Sequence, residues 1–195
     1  TRVGVDAALD QVTRLSATVE ELLHLARTGR AGERRTFDAT DLIGHHVEDW
    51  RPRFARRRRA VALAAPGPLP VRAAPGALGQ AVDVLLSNAL RHGDGPATIT
   101  MRRIQGRVEV EISDTGPGVH PSARAHLFDP AASRPDGHGI GLPLARLLVG
   151  ADGGTLDLVD PATATFRIRL TAEGHGVALS GAAPPENLDA APGER

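Results

Sequence analysis

The sequence predicts a two-layer α/β sandwich preceded by a long helix. Three observations carry this. Residues 97–113 and 154–170 alternate apolar and polar positions around short turns, as half-buried antiparallel strands do. Residues 75–93 and 140–151 space their apolar residues for one buried helical face each. Strands and helices do not alternate one for one, so the helices fall to a single face of the sheet.

Composition narrows the function. All 23 basic residues are arginine, and they balance 23 acidic ones, so no global charge favours nucleic acid or an anionic membrane. The absence of cysteine excludes a disulfide framework and thiolate metal sites. Aliphatic residues must build the core, because the chain has one Trp, four Phe and no Tyr. No apolar run approaches the ~20 residues that span a bilayer, and no signal-peptide pattern opens the chain. A start at Thr1 suggests a fragment or a processed product. A cytoplasmic location is expected, with any membrane contact through segments outside this sequence.

Residues 5–28 read as a helix about 35 Å long at ~1.5 Å per residue. Val5, Leu9, Val12, Leu15, Val19, Leu22 and Ala26 form a seam for a partner helix, which predicts self-association. Residues 30–35 form a polar linker. Asp38 is placed to cap a helix running to Arg59, with Asp41 three residues on. The arginines at 51, 53 and 56–59 suit either phosphate or a solvated face. Val61–Ala64 and Leu69–Arg72 read as short strands, and Pro75 suits the first turn of a helix that ends near Gly93. Ala97–Arg103 and Arg107–Ser113 form a hairpin about Gln105-Gly106, and Pro121–Phe128 a short helix. Residues 129–139 read as a loop, Ile140–Ala151 as a helix, Gly154–Val159 and Ala164–Leu170 as a closing hairpin, and 173–195 as a disordered tail.

Three blocks carry chemistry: Leu86–His92 (LSNALRH), Asp114–Val119 (DTGPGV) and Gly137–Leu142 (GHGIGL). A P-loop needs a lysine on the terminal phosphates, and this chain has none. Asn88 offers an amide oxygen, a hard ligand for Mg²⁺ that adds no negative charge beside a triphosphate. Arg91 and His92 follow one turn on. Asp114 ends a strand, where a carboxylate can accept the adenine amino hydrogen bond, and Gly116 and Gly118 permit close backbone approach. Gly137, Gly139 and Gly141 open a helix whose free amides suit phosphate. Taken singly, each block also reads as an ordinary capping Asn, Asp-Gly turn or glycine cluster.

Their order is more specific. An Asn-bearing helix, a strand-end D-x-G-x-G, the pair Leu127-Phe128 and a G-x-G-x-G-L helix start resemble the ATP-binding catalytic domain of bacterial sensor histidine kinases. That domain has the Bergerat/GHKL fold, and the four blocks match its N, G1, F and G2 boxes over residues 36–172. Residues 1–29 resemble the second helix of the family's dimerisation hairpin. The resemblance implies Mg²⁺ on Asn88, phosphate on Arg91, and His92 near the base. It implies adenine on Asp114 in a pocket shaped by Gly116 and Gly118. Residues 129–139 would be the ATP lid, with phosphate contacts at Gly137, Gly139, Gly141 and Leu142. It further implies transfer of the ATP γ-phosphoryl group to a histidine, a response regulator as partner, and a homodimer in the full protein.

Three departures qualify it. No H-E-L-R-T-P-like stretch is present, and His24 matches a non-acceptor position, so the acceptor histidine is expected on a missing helix or another chain. His45 and His46 read as surface residues. Val84 stands four residues before Asn88, where the family often has Asn and related ATPases a water-activating Glu. Only Asp83, about 100° away around the helix, could take that role, and weak hydrolysis is expected. The lid is short and lacks its second Phe. Two other readings remain. One is an anti-sigma-type serine kinase or an ATPase; the other is a nucleotide-sensing or partner-docking module without transfer.

Overall fold

A computed structural model describes residues 33–129 and 140–173. The expected N-terminal helix, most of the lid, Gly137 and Gly139, and the tail from residue 174 onward lie outside these residues. The elements are β1 (Arg35–Asp38), α1 (Ala39–Arg56), β2 (Val61–Ala64), β3 (Pro70–Ala73), α2 (Pro75–His92), β4 (Ala97–Ile104), β5 (Arg107–Asp114), α3 (Pro121–Arg124), α4 (Gly141–Ala151), β6 (Thr155–Asp160) and β7 (Thr165–Thr171).

Five strands form the main sheet in the order β2-β4-β5-β7-β6, with β2 parallel to β4 and all other pairs antiparallel. The β4–β5 hairpin turns on Gln105 and Gly106, whose φ angles of 48° and 74° are those of a tight two-residue turn. Strands β1 and β3 pair in a second, small antiparallel sheet, tied to the main one through Val71 and Ala172.

Along β4 and β5, Ala97, Ile99, Met101, Val108, Val110 and Ile112 are buried and turn toward the helices. Helix α2 lies between α1 and α4, and its Leu78, Val82, Leu85 and Leu86 are buried at the centre of the core. Trp50 and Phe54 of α1 bring the largest aromatic surface, packed edge to face with ring centroids 6.4 Å apart. The opposite face of the sheet carries a charged ladder. Glu109 accepts from Arg102 and Arg169, and Glu111 accepts from Arg102 and Arg167, at 2.7–3.1 Å. These arginines hold the Glu109 carboxyl below its ordinary pKa, Arg169 contributing most. This explains how a strand residue facing away from the core is nonetheless buried.

Helix α1 begins as expected. Asp38 accepts from Thr40 N–H at 2.9 Å and also from Leu69 N–H at 2.8 Å, which ties the helix start to the small sheet. Its end differs from the expected Arg59. The helix stops at Arg56, because Arg58 adopts a left-handed φ of 55°. There, Arg58 N–H bonds to Ala55 O and Arg59 N–H to Phe54 O. That pairing is the two-bond left-handed helix stop usually made with glycine, here made with arginine. Strand β1 has no mark in the sequence, since Arg35–Asp38 is too short to show an alternation. Helix α3 covers only the first turn of the expected 121–128 helix. Among the described residues no helix is long and apolar enough to cross a membrane.

Candidate functional site

The site forms where the end of α2, the end of β5 and the start of α4 meet. Asp114 is the last residue of β5 and is 6% exposed. Its Oδ1 accepts from the Gly116 N–H at 2.7 Å. On its other side stands Gly93, directly after α2. A Cβ at Gly93 would lie 2.4 Å from the carboxylate, so only glycine fits there. Gly116 is held just as closely: its Cβ would lie 2.5 Å from Asp94 N and 2.8 Å from Gly93 Cα. Thr115 Oγ1 donates to Asp94 O at 3.2 Å. Residues 93–95 and 114–116 thus interlock as two turns, with the Asp114 carboxylate clasped between them.

Gly118 shapes the next part of the wall. Its φ is 74°, and a Cβ would meet the Pro161 and Ala162 carbonyls at 2.4 Å. Val119 N–H donates to Pro161 O at 2.7 Å, fastening this loop to the β6–β7 turn. Asp160 stiffens that turn by accepting from Thr163 Oγ1 and Ala162 N–H, and these bonds keep its pKa low.

Val84 and Asn88 lie one turn apart on the flank of α2 that faces α4. Both are half-buried, and Arg91 and His92 beyond them are exposed. Gly141, the first residue of α4, packs on Val84. Ile140 before it has no side chain able to cap the helix. The structure therefore brings Asn88, Gly141 and the half-buried Leu142 to one side of α2. Asp114, Gly116 and Gly118 gather at its end. Phe128 stacks edge to face on Phe166, with Arg146 over its ring at 4.5 Å.

Asp83 points away from this flank. Its Oδ1 accepts from Trp50 Nε1 and from His46 Nδ1, both at 2.8 Å. A carboxylate is acceptor-only, so His46 Nδ1 carries the proton. That hydrogen bond raises the His46 pKa above 6.5 and outweighs the desolvation that lowers it. His46 is accordingly not the surface residue that the sequence suggests. His45 is exposed and bonds the Asp41 carbonyl of its own helix.

The arginine run takes neither expected role as a whole. Arg51 pairs with Glu48 and Arg53 covers Trp50. Arg57 and Arg59 instead reach backbone carbonyls at the end of α2. Nothing in the local sequence distinguishes these two from their solvated neighbours, because their targets lie about thirty residues away.

Among the described residues no three His, Asp or Glu side chains gather as a metal site. Asn88 is one hard oxygen donor on an otherwise apolar and cationic flank. One donor fits Mg²⁺ that arrives already bound to phosphates and keeps several waters, and does not fit a resident metal.

A family model described as histidine kinase-, DNA gyrase B- and HSP90-like ATPase matches residues 73–179, more than half of the chain. The sensor protein IrlS of Burkholderia pseudomallei is 30% identical over 77% of this chain and 35% of its own length. The signal transduction histidine-protein kinase AfsQ2 of Streptomyces coelicolor is 27% identical over 98% of this chain and 35% of its own length. Among solved structures, full-length ShkA in complex with AMPPNP superposes with a TM-score of 0.68 at 31% identity, covering 88% of this chain and 38% of that one. The chain spans about a third of the length of the two curated relatives.

Proposed function

Because the chain belongs to the histidine kinase-, DNA gyrase B- and HSP90-like ATPase family, we propose that it is the ATP-binding catalytic core of a two-component sensor histidine kinase. In this reading it transfers the γ-phosphoryl group of Mg²⁺-ATP to a histidine on a dimerisation helix, and a response regulator receives the phosphoryl group in turn. The observation that carries it is Asp114, a carboxylate buried at a strand end and clasped between Gly93 and Gly116, the arrangement needed to read an adenine amino group. The AMPPNP bound by ShkA supports an adenine nucleotide as the ligand.

Each residue has a task that its position allows. Asp114 accepts a hydrogen bond from the base and orients it, while Gly116 and Gly118 let the backbone approach. Asn88 would hold the metal, which would supply the charge neutralisation that phosphoryl transfer requires. Arg91 and the amides of Gly141 and Leu142 add positive potential from two sides. Gly137 and Gly139 lie outside the described residues and take a phosphate-binding role in this reading from the sequence alone. His92, exposed at the end of α2, would stand near the base. The chemistry asked of the protein is mainly positioning and charge neutralisation.

Calorimetric titration with ADP and AMPPNP, with and without Mg²⁺, tests this. Micromolar binding that depends on Mg²⁺ and is lost in Asn88→Ala is expected. Failure to bind at millimolar nucleotide refutes it. With a protein bearing the acceptor helix and ATP, acid-labile and base-stable phosphate is expected on that protein; phosphoserine would show a serine kinase instead.

A further inference from the structure

We infer that Arg59 is a positioning residue for nucleotide-base recognition. The inference rests on the nucleotide reading of the Asp114 pocket. The last carbonyls of any α-helix lack partners within the helix. At the end of α2 the Arg59 guanidinium spans several of them, beside Arg57 Nη1 on Leu90 O and the Gly93 N–H on Ala89 O. Arg59 Nη2 donates to Ala89 O at 3.0 Å, and Nη1 to Gly93 O at 2.9 Å and Leu90 O at 3.3 Å. Its Nε donates to Gly95 O. Four carbonyls over seven residues of chain are thus gathered on one planar, fixed fork, which an ammonium could not match.

The fork is itself held. Arg59 directly follows the left-handed Arg58, and its guanidinium lies over the Phe54 ring, 5.4 Å from the centroid. Phe54 is fully buried. Arg59 is therefore anchored to the core on one side and grips residues 89–95 on the other.

Those residues are the back wall of the Asp114 pocket. Gly93 abuts the Asp114 carboxylate, Asp94 N–H backs Gly116, and Gly95 lies against Thr115. The turn at 93–95 cannot shift without moving the carboxylate or opening a gap behind it. The bonds of Arg59 go to the carbonyls of residues 89–95 and its face to Phe54, so it acts through that turn. Its effect should fall on base selection and not on phosphate affinity.

The test uses the full chain with Arg59→Gln and Arg59→Lys, compared by calorimetry for ADP and GDP with Mg²⁺. GDP carries an oxygen where adenine carries its 6-amino group, so it lacks that one donor to Asp114 while sharing the diphosphate. Circular dichroism and a cooperative thermal transition establish that each variant is folded. Wild type should prefer ADP, and folded variants should lose about tenfold in ADP affinity with GDP affinity unchanged. Hydrogen exchange at Gly95 and Gly116 should quicken in parallel. A folded variant that keeps the wild-type ADP-to-GDP ratio overturns the proposal. So does failure of both variants to fold, because Arg59 would then hold the domain together and not place the base wall. Absence of ADP binding by wild type removes the nucleotide reading and this proposal with it. Wild-type binding with an unchanged ratio in the variants removes only the proposal for Arg59.

Discussion

Gly141 at the start of α4 stands so close to Val84 of α2 that a Cβ added there would lie 3.2 Å from Val84 Cγ1. This contact fixes how near the start of α4 comes to the flank of α2 carrying Asn88. Val84 is β-branched and holds one preferred rotamer in a helix, so it yields little. Gly141→Ala is expected to destabilise the domain by about 1–2 kcal/mol through overpacking, despite the ~1 kcal/mol that alanine gains over glycine in a helix. In a Val84→Ala background the clash disappears, and the same change should become stabilising by up to about 1 kcal/mol. Denaturant unfolding of the four proteins measures both terms. Additive effects would mean that the two residues do not touch.

Val84 also bears on reactivity. It can neither bind a metal nor accept a proton, and its neighbour Asp83 is occupied by Trp50 and His46. On this turn of α2 no carboxylate is left free beside Asn88. ATP turnover in water is therefore expected to stay below about 1 per second, slow for an enzyme. Steady-state release of phosphate checks this, and Asp83→Asn should leave the rate unchanged. A marked drop in that variant would show that Asp83 reaches the site after all.

The Asp83 clamp joins α1 to α2 and makes stability depend on pH. The His46 pKa is raised in the folded protein, chiefly by its bond to Asp83. The stabilisation is thus fully present below the ordinary imidazole value of 6.5 and is lost as pH rises through the higher folded value. Thermal midpoints of wild type should fall as pH rises above 6.5 relative to those of Asp83→Asn, which should show a flatter profile there. The chain's one Trp is Trp50. Its fluorescence should shift in the variant, because its indole N–H loses the Asp83 carboxylate. Parallel pH profiles for the two proteins would rule the clamp out as the source.

What the sequence made legible were features set by neighbours in the chain. The Gln105-Gly106 turn, the Asp38 cap and the strand-end position of Asp114 each follow from local backbone preference or from alternation. What it hid were features set at a distance. Arg58 takes a left-handed conformation usually given to glycine, so the end of α1 carries no local mark. Gly93 matters through Asp114, 21 positions later, and sequence alone shows it only as the residue after a helix. Arg59 looks like its neighbours until α2 is folded beside it. Strand β1 is defined by its pairing with β3, not by any pattern of its own four residues. The candidate residues that the sequence offers are thus marked by local pattern, and the residues that hold them in place are not.

The open face of the sheet gives a second pH response, of opposite sign. Glu109 lies with its side chain 9% exposed between Arg102, Arg167 and Arg169. Its folded pKa is lowered from 4.5, first by the hydrogen bond from Arg169, against the desolvation that would raise it. A depressed carboxylate contributes stability above its unfolded value and loses it as pH falls through the folded one. Wild type should therefore lose thermal stability steeply below about pH 4.5. Glu109→Gln keeps the shape but cannot ionise. It should be less stable than wild type at pH 7, since the arginines lose a partner across the strands, and should change less as pH drops from 5 to 3. Arg102 and Arg169 are partly solvated, so the loss at pH 7 should stay well short of that for a fully buried ion pair. Calorimetric melting of both proteins across this range decides the matter. If Glu109→Gln retains the steep acid loss of wild type, other carboxylates govern acid unfolding and the ladder does not.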